Sequence, residues 1–210
     1  MRPVLRSYQQ VLWRGRRWLA TAVLLFVLGA VAGYVLAVAN PGTVMETIRP
    51  LLSLLRGMGE RIAASESPVE RTLIIFRNNL LAVVRMMVGG VLLGILPAMA
   101  TAGNGLLLGM VFGLGSRLSP LGASPWVMLL SVVPHAIFEV PALWIAGAWG
   151  MKLGLAWLLP SAAGGRLQVL RQSAAEAVQM GVLAIVLLLV AAAVEGNITL
   201  YLVRGGRLPG

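Results

Sequence analysis

His135 and Glu139 are the residues of this chain best placed to do chemistry. They stand four positions apart in Pro134-His135-Ala136-Ile137-Phe138-Glu139-Val140-Pro141. On a helix that spacing puts both side chains on one face. His135 is the single histidine, and Glu139 is one of seven acids, all of them glutamates. An imidazole beside a carboxylate can pass a proton, and the same pair can offer two ligands to a metal. With no cysteine in the chain, Glu195 and amide oxygens would have to complete a shell begun by His135 and Glu139. Such an oxygen-rich set suits a hard divalent cation better than zinc. Ser131 adds a hydroxyl one turn earlier, but a histidine cannot lie in line between two neighbours on its own helix, so a nucleophilic triad is rejected. No HExxH, GxSxG, phosphate-cradling loop or dinucleotide fingerprint occurs. The expectation is a protein that is not an enzyme and has no resident cofactor, a divalent cation being the one candidate.

The pair lies inside an apolar run, 124–159. Lipid makes ionisable groups costly, about 2.5–3.5 kcal/mol for a charge at a helix centre. The other polar residues inside apolar segments are Asn78, Asn79, Arg85, Asn104, Glu195 and Thr199. Buried charges in membranes are generally paired. The first expectation is therefore a network in which Glu139 or Glu195 neutralises Arg85 and the amides join helices. A proton or ion site built on His135, Glu139 and Glu195 is the alternative, and a bound metal the third. Asn78 and Asn79 point about 100° apart on a helix, so they cannot both serve one partner helix. The sequon at Asn197 to Thr199 reads as accidental beside lipid.

Composition says what must hold these groups. Hydrophobic residues make up 59% of 210 and charged ones 11%, against roughly 45–50% and 25% in soluble domains. Mean hydropathy is +0.88. A bilayer admits helices or closed barrels. The apolar residues come in unbroken runs instead of alternating, so the fold class expected is all-α, a polytopic transmembrane helix bundle. The net charge of +10 does not point to nucleic acid. Its largest block, Arg2, Arg6, Arg14, Arg16 and Arg17, precedes the first span, as a cytoplasmic end requires. Anionic lipids are a sufficient partner there. The first apolar run, 18–39, has about 22 residues, longer than the roughly 7–15 of a signal peptide, and reads as an uncleaved span.

The expected order follows from punctuation. Residues 1–17 form a basic cytoplasmic lead-in, and 18–200 a single transmembrane domain. Within it 43–70 is an extracytoplasmic amphipathic segment, and 201–210 form a basic tail. Spans are expected at 18–39, 73–98, 105–118 and 177–200, with a turn at 101–105 and a polar connection at 161–176. The run 124–159, about 54 Å as one helix, is expected to kink or break around Pro134 and Pro141, as a kinked helix or as a hairpin. Five spans are preferred, with six as the alternative. Glycine rows at 89–94 and at Gly105, Gly109 and Gly113 call for close helix contacts, within the chain or between copies, and suggest a homodimer.

Phe76-x-Asn78-Asn79, the glycine-rich span, Asn104-Gly105-x3-Gly109, Pro134-His135-x3-Glu139 and Glu195-Gly196-x-Ile198-Thr199 form an ordered set. That set resembles the stage II sporulation protein M family over about residues 70–200. The family commonly continues Pro-His with Gly, where this chain has Ala136. The resemblance implies a polytopic subunit of the cell (inner) membrane, and the arginines before the first span put its N-terminus in the cytoplasm. Such a subunit scaffolds or localises a peptidoglycan-remodelling, sporulation-like envelope complex beside other envelope membrane proteins.

Overall fold

The computed structural model describes residues 2–65, 67–115, 125–156, 158 and 165–196, with the side chains of 2–3, 55–56, 63 and 125–135 outside that description. Every regular element among them is a helix: α1 (Arg2–Ala39), α2 (Pro41–Ala64), α3 (Pro68–Gly89), α4 (Ile95–Leu114), α5 (Pro125–Leu155) and α6 (Gly165–Val194). Among the described residues α1, α3, α4 and α6 are long and apolar enough to cross a membrane. Their outer faces are apolar, as in Leu24, Leu28 and Val31 of α1 and Val178, Val182 and Val186 of α6, all exposed.

Contacts fix the directions of the helices. Gly105, Gly109 and Gly113 of α4 face Phe26, Ala30 and Ala37 of α1 in the same order, so these two helices run together. A Cβ on Gly109 would strike the Ala30 carbonyl oxygen, and one on Gly33 would strike that of Leu106. Absent side chains let the two backbones touch, which is how helices associate where lipid is as apolar as leucine. Trp144 meets Phe26 edge-on at 5.8 Å and Trp149 covers Gly15, so α5 runs against α1. Lys152 reaches Glu176, so α6 runs against α5. Gly90 lies against Gly150, and Ile75 shares a cavity with Glu139, so α3 runs with α5. Thus α1, α4 and α6 point one way, α3 and α5 the other. The core is built around α5, whose Ala142, Ala146 and Trp149 are fully buried among Val83, Met180 and Leu188. α2 lies across the end where α3 begins and α6 finishes. Its Val44 and Ile48 pack on Ala37, Met110 and Leu114, and its Ile62 on Ile75 and Ala192.

Several expected boundaries move. The lead-in and first span are one helix of 38 residues. The chain reverses at residues 90–94, not at 101–105. Leu93 (φ 53°) and Gly94 (φ 71°) adopt the left-handed region there, which glycine enters without a Cβ penalty. The stretch from Thr101 to Gly105 stays helical. The Thr101 hydroxyl donates to Pro97 O at 2.6 Å and the Asn104 amide to Ala100 O at 2.8 Å, so both side chains turn back on their own helix. α4 therefore has 20 residues, ~30 Å, enough to span the hydrocarbon core. The run expected to break is one helix of 31 residues that continues through Pro134 and Pro141. Proline costs a helix one hydrogen bond, which neighbouring helices can compensate in a membrane bundle. The hairpin form of this run is set aside. α6 starts at Gly165, so Glu176 stands inside a helix rather than in a connection.

Candidate functional site: a polar cavity beneath the surface helix

Three helices present the same pattern to two adjoining spaces. Ile75, Asn78, Asn79 and Ala82 of α3 follow i, i+3, i+4, i+7 spacing, as do Ala136, Glu139, Val140 and Leu143 of α5 and Asn104, Leu107, Leu108 and Val111 of α4. That spacing forms one stripe per helix, and each stripe is apolar except for its amides or its acid. The polar members converge. Asn78, Asn79, Asn104, Glu139 and Glu195 line a cavity of about 320 Å³, with Met58 of α2 at its edge. Asn78 Nδ2 donates to Asn79 Oδ1 at 3.3 Å, so the two amides act as a unit despite their 100° separation. Asn104 spends one N–H on Ala100 O, which fixes its rotamer.

A second chamber of about 350 Å³ adjoins the first and shares Asn104, Glu139 and Leu143 with it. Its other walls are apolar: Ile48, Leu51 and Leu52 of α2, Phe26 of α1, Leu107, Leu108 and Val111 of α4, and Val140 of α5. α2 roofs both spaces.

Glu195 follows the last residue of α6, and its neighbour Gly196 is held by a residue that spacing alone did not mark. Arg71 Nε donates to Gly196 O at 2.9 Å and its Nη1 to Ser65 O at 3.0 Å, joining the α2–α3 turn to the end of α6. A signal for it exists. Arg71 lies in the first turn of α3, where the helix dipole disfavours a cation. Its natural acceptor is a carbonyl at another helix's C-terminus, and α6 supplies one.

The remaining candidates lie elsewhere. Arg85 is exposed and does not line the cavity. It was expected near mid-membrane because the second span was expected to run to 98. With α3 ending at Gly89, Arg85 stands ~6 Å from the helix end, within reach of the interface by snorkelling. Neutralisation of Arg85 by Glu139 or Glu195 is corrected accordingly, since among the described residues no acid pairs with it. The His135 side chain and Thr199 lie outside the described residues. Among the described residues no three His, Cys, Asp or Glu side chains group as metal ligands.

A cluster of paired charges sits at the opposite end. Glu176, 4% exposed, receives Lys152 Nζ on Oε2, Arg14 Nη1 at 3.6 Å from Oε1, and the Gln172 amide at 3.2 Å. Glu176 falls in the segment 161–176 expected as a polar connection, which is helical from Gly165. Nearby, Gln179 Nε2 donates to Ser7 Oγ at 3.0 Å, adding a second tie between α6 and α1.

The family model of stage II sporulation protein M matches residues 22–200, covering α1 from mid-helix to the end of α6. The chain belongs to that family. Its members are polytopic membrane proteins, and the helices long and apolar enough to cross a bilayer agree with that. The match extends past the 70–200 window in which the motifs lie and takes in the surface helix and most of the α1–α4 seam. No curated protein and no solved structure matches the chain.

Proposed function

We propose that this family member is a five-span, non-enzymatic subunit of the cell membrane that holds a sporulation-type envelope complex together, with its N-terminus in the cytoplasm. The observation that supports this reading is the sorting of charge between the two ends of the bundle. One end carries Arg6, Arg14, Arg16, Arg17, Lys152, Arg166 and Arg171 with Glu176 as its acid. The other mixes Arg49, Arg61, Arg71 and Arg77 with Glu46, Glu60 and Glu70. The first end suits the cytoplasmic side by the positive-inside rule, and anionic lipid is its expected contact. α2 then lies outside as an interfacial helix, apolar face down and Glu46, Arg49, Glu60 and Arg61 outward. That charged face is the proposed docking surface for other envelope proteins. A homodimer must use another face than the α4 glycine row, because α1 of the same chain fills it.

Charge reversal on that face tests the reading. Glu46→Arg with Glu60→Arg should abolish co-purification of envelope proteins from cross-linked membranes while the melting temperature holds. Unchanged recovery would count against it. The cysteine-free chain allows a clean sidedness test: Gly59→Cys, at a position with nothing within 4 Å of the new side chain, should label with an impermeant thiol reagent in intact cells.

The cavity favours a second reading, a cation or proton path through Glu139 and Glu195. Flux into liposomes, wild type against Glu139→Gln, decides it, and absence of flux for protons and every tested cation removes it. Elemental analysis of purified protein decides on a bound divalent cation.

A further inference from the structure

One arginine stands where a bilayer is least hospitable to charge. α3 runs from Pro68 to Gly89 and is long and apolar enough to cross a membrane. Arg77, counted above with the outer end, is the deepest cation of that end. It lies ~13.5 Å inside the start of α3 and ~18 Å from its finish, whereas Arg85 lies ~6 Å from an end. Arg77 is exposed. It is the centre of an outward stripe formed by Leu73, Leu81, Val84 and Val88, all exposed, which steps of three and four place on one helix face. The outward faces of α1 and α6 carry leucine and valine instead, as in Leu24, Leu28 and Val31 or Val182, Val186 and Leu189. The described acids are placed elsewhere. Glu139 and Glu195 line the cavity, Glu176 is paired at the opposite end, and Glu46 and Glu60 stand on α2. Glu70, two turns before Arg77 on the same face, accepts the Ser65 hydroxyl at 2.7 Å. Among the described residues no acid forms an ion pair with Arg77.

We propose that the Arg77 face of α3 is an intramembrane docking surface for a transmembrane helix of another protein, one that carries a single carboxyl side chain at mid-depth. Charge complementarity selects that occupant. Charges inside membranes are generally paired, and a carboxylate brought to the depth of Arg77 completes the pair. The planar guanidinium can grip such a group through two parallel hydrogen bonds. Leu73 and Leu81, one turn to either side, then pack on the apolar neighbours of the acid. A second copy of this chain is the poorer match, because a twofold contact along the stripe sets Arg77 against Arg77. A lipid phosphate stays at head-group level, more than twice as far from Arg77 as the nearer helix end is from Arg85. This surface is formed by α3 alone and is separate from the charged face of α2, so either can be refuted while the other stands.

The experiment uses defined probe helices. Full-length protein carrying a donor fluorophore on Gly59→Cys is reconstituted in phosphatidylcholine vesicles. Acceptor-labelled leucine-rich peptides that span the bilayer carry Glu, Gln or Leu at their centre, and energy transfer reports association at low peptide density. The expected result is that the Glu peptide associates about tenfold or more tightly than the Gln and Leu peptides, the scale of a charge-assisted hydrogen bond. Arg77→Leu should bring the Glu peptide down to the level of the Leu peptide, and Arg85→Leu should leave the preference intact. Equal association of the three peptides with the protein bearing Arg77 overturns the proposal whether or not any variant folds. So does a Glu preference that survives in folded Arg77→Leu. Loss of the preference when phosphatidylglycerol replaces part of the phosphatidylcholine also overturns it, and assigns Arg77 to a lipid phosphate.

Discussion

The two ends of the bundle treat acids in opposite ways. At one end Glu176 is buried and contacts Lys152, Arg14 and Gln172. At the other, Glu139 and Glu195 border open volume together with three carboxamides, and among the described residues no lysine or arginine lines that volume. The first arrangement is what helix bundles do with charge they must bury. The second arranges polar groups around a space, with Asn78 donating to Asn79 at its wall. A network of paired charge and a ligand-sized site were rival readings of one set of residues. The molecule has a paired network built from residues outside that set, while Asn78, Asn79, Asn104, Glu139 and Glu195 of the set line a cavity.

That contrast sets the order of expected effects. Glu176→Ala leaves Lys152 without its main partner where it is mostly buried, and should cost about 3–5 kcal/mol, read as a large drop in melting temperature in detergent. Arg71→Ala removes two hydrogen bonds from a cation and should cost about 1–3 kcal/mol, seen as faster hydrogen exchange at the end of α6 with the Glu176 end unchanged. Lys152→Met with Glu176→Met replaces the ion pair by apolar volume and should fall within about 1 kcal/mol of wild type. A double variant as unstable as Glu176→Ala would show that Arg14 and Gln172 dominate that cluster. Asn79→Ala, at the cavity, should move the melt least, by about 0.5 kcal/mol. If it destabilises as strongly as Glu176→Ala, the cavity is a second structural network and the contrast fails.

Much of this arrangement could be read from residue order. The helical membrane class, the amphipathic α2 and the glycine seams follow from periodicity. So do the polar residues Asn78, Asn79, Asn104, Glu139 and Glu195 that face the cavity. What escaped had local causes. The turn expected at 101–105 lies instead in the glycine-rich stretch at 90–94, expected only to pack. The left-handed backbone at Leu93 and Gly94 makes the reversal there, and the back-bonded side chains of Thr101 and Asn104 keep 101–105 helical. Arg85 was drawn to the wrong depth by that same misplaced boundary. Glu176 and Lys152 lie 24 positions apart on different helices, so nothing local announces their pairing. The two prolines of α5 are strong breakers in water and weaker ones in a packed bundle, where neighbours shelter the freed carbonyls.

The seam between α1 and α4 has one more consequence. Main chain rests on main chain there, through Gly29, Gly33, Gly105 and Gly109, so the contact holds no rotamers that could re-sort and no layer that could slide. These two helices form a stiff spine. Any breathing that admits a molecule beneath the roof must pivot somewhere else, and Asn40, the lone residue between α1 and the roof, is the natural joint.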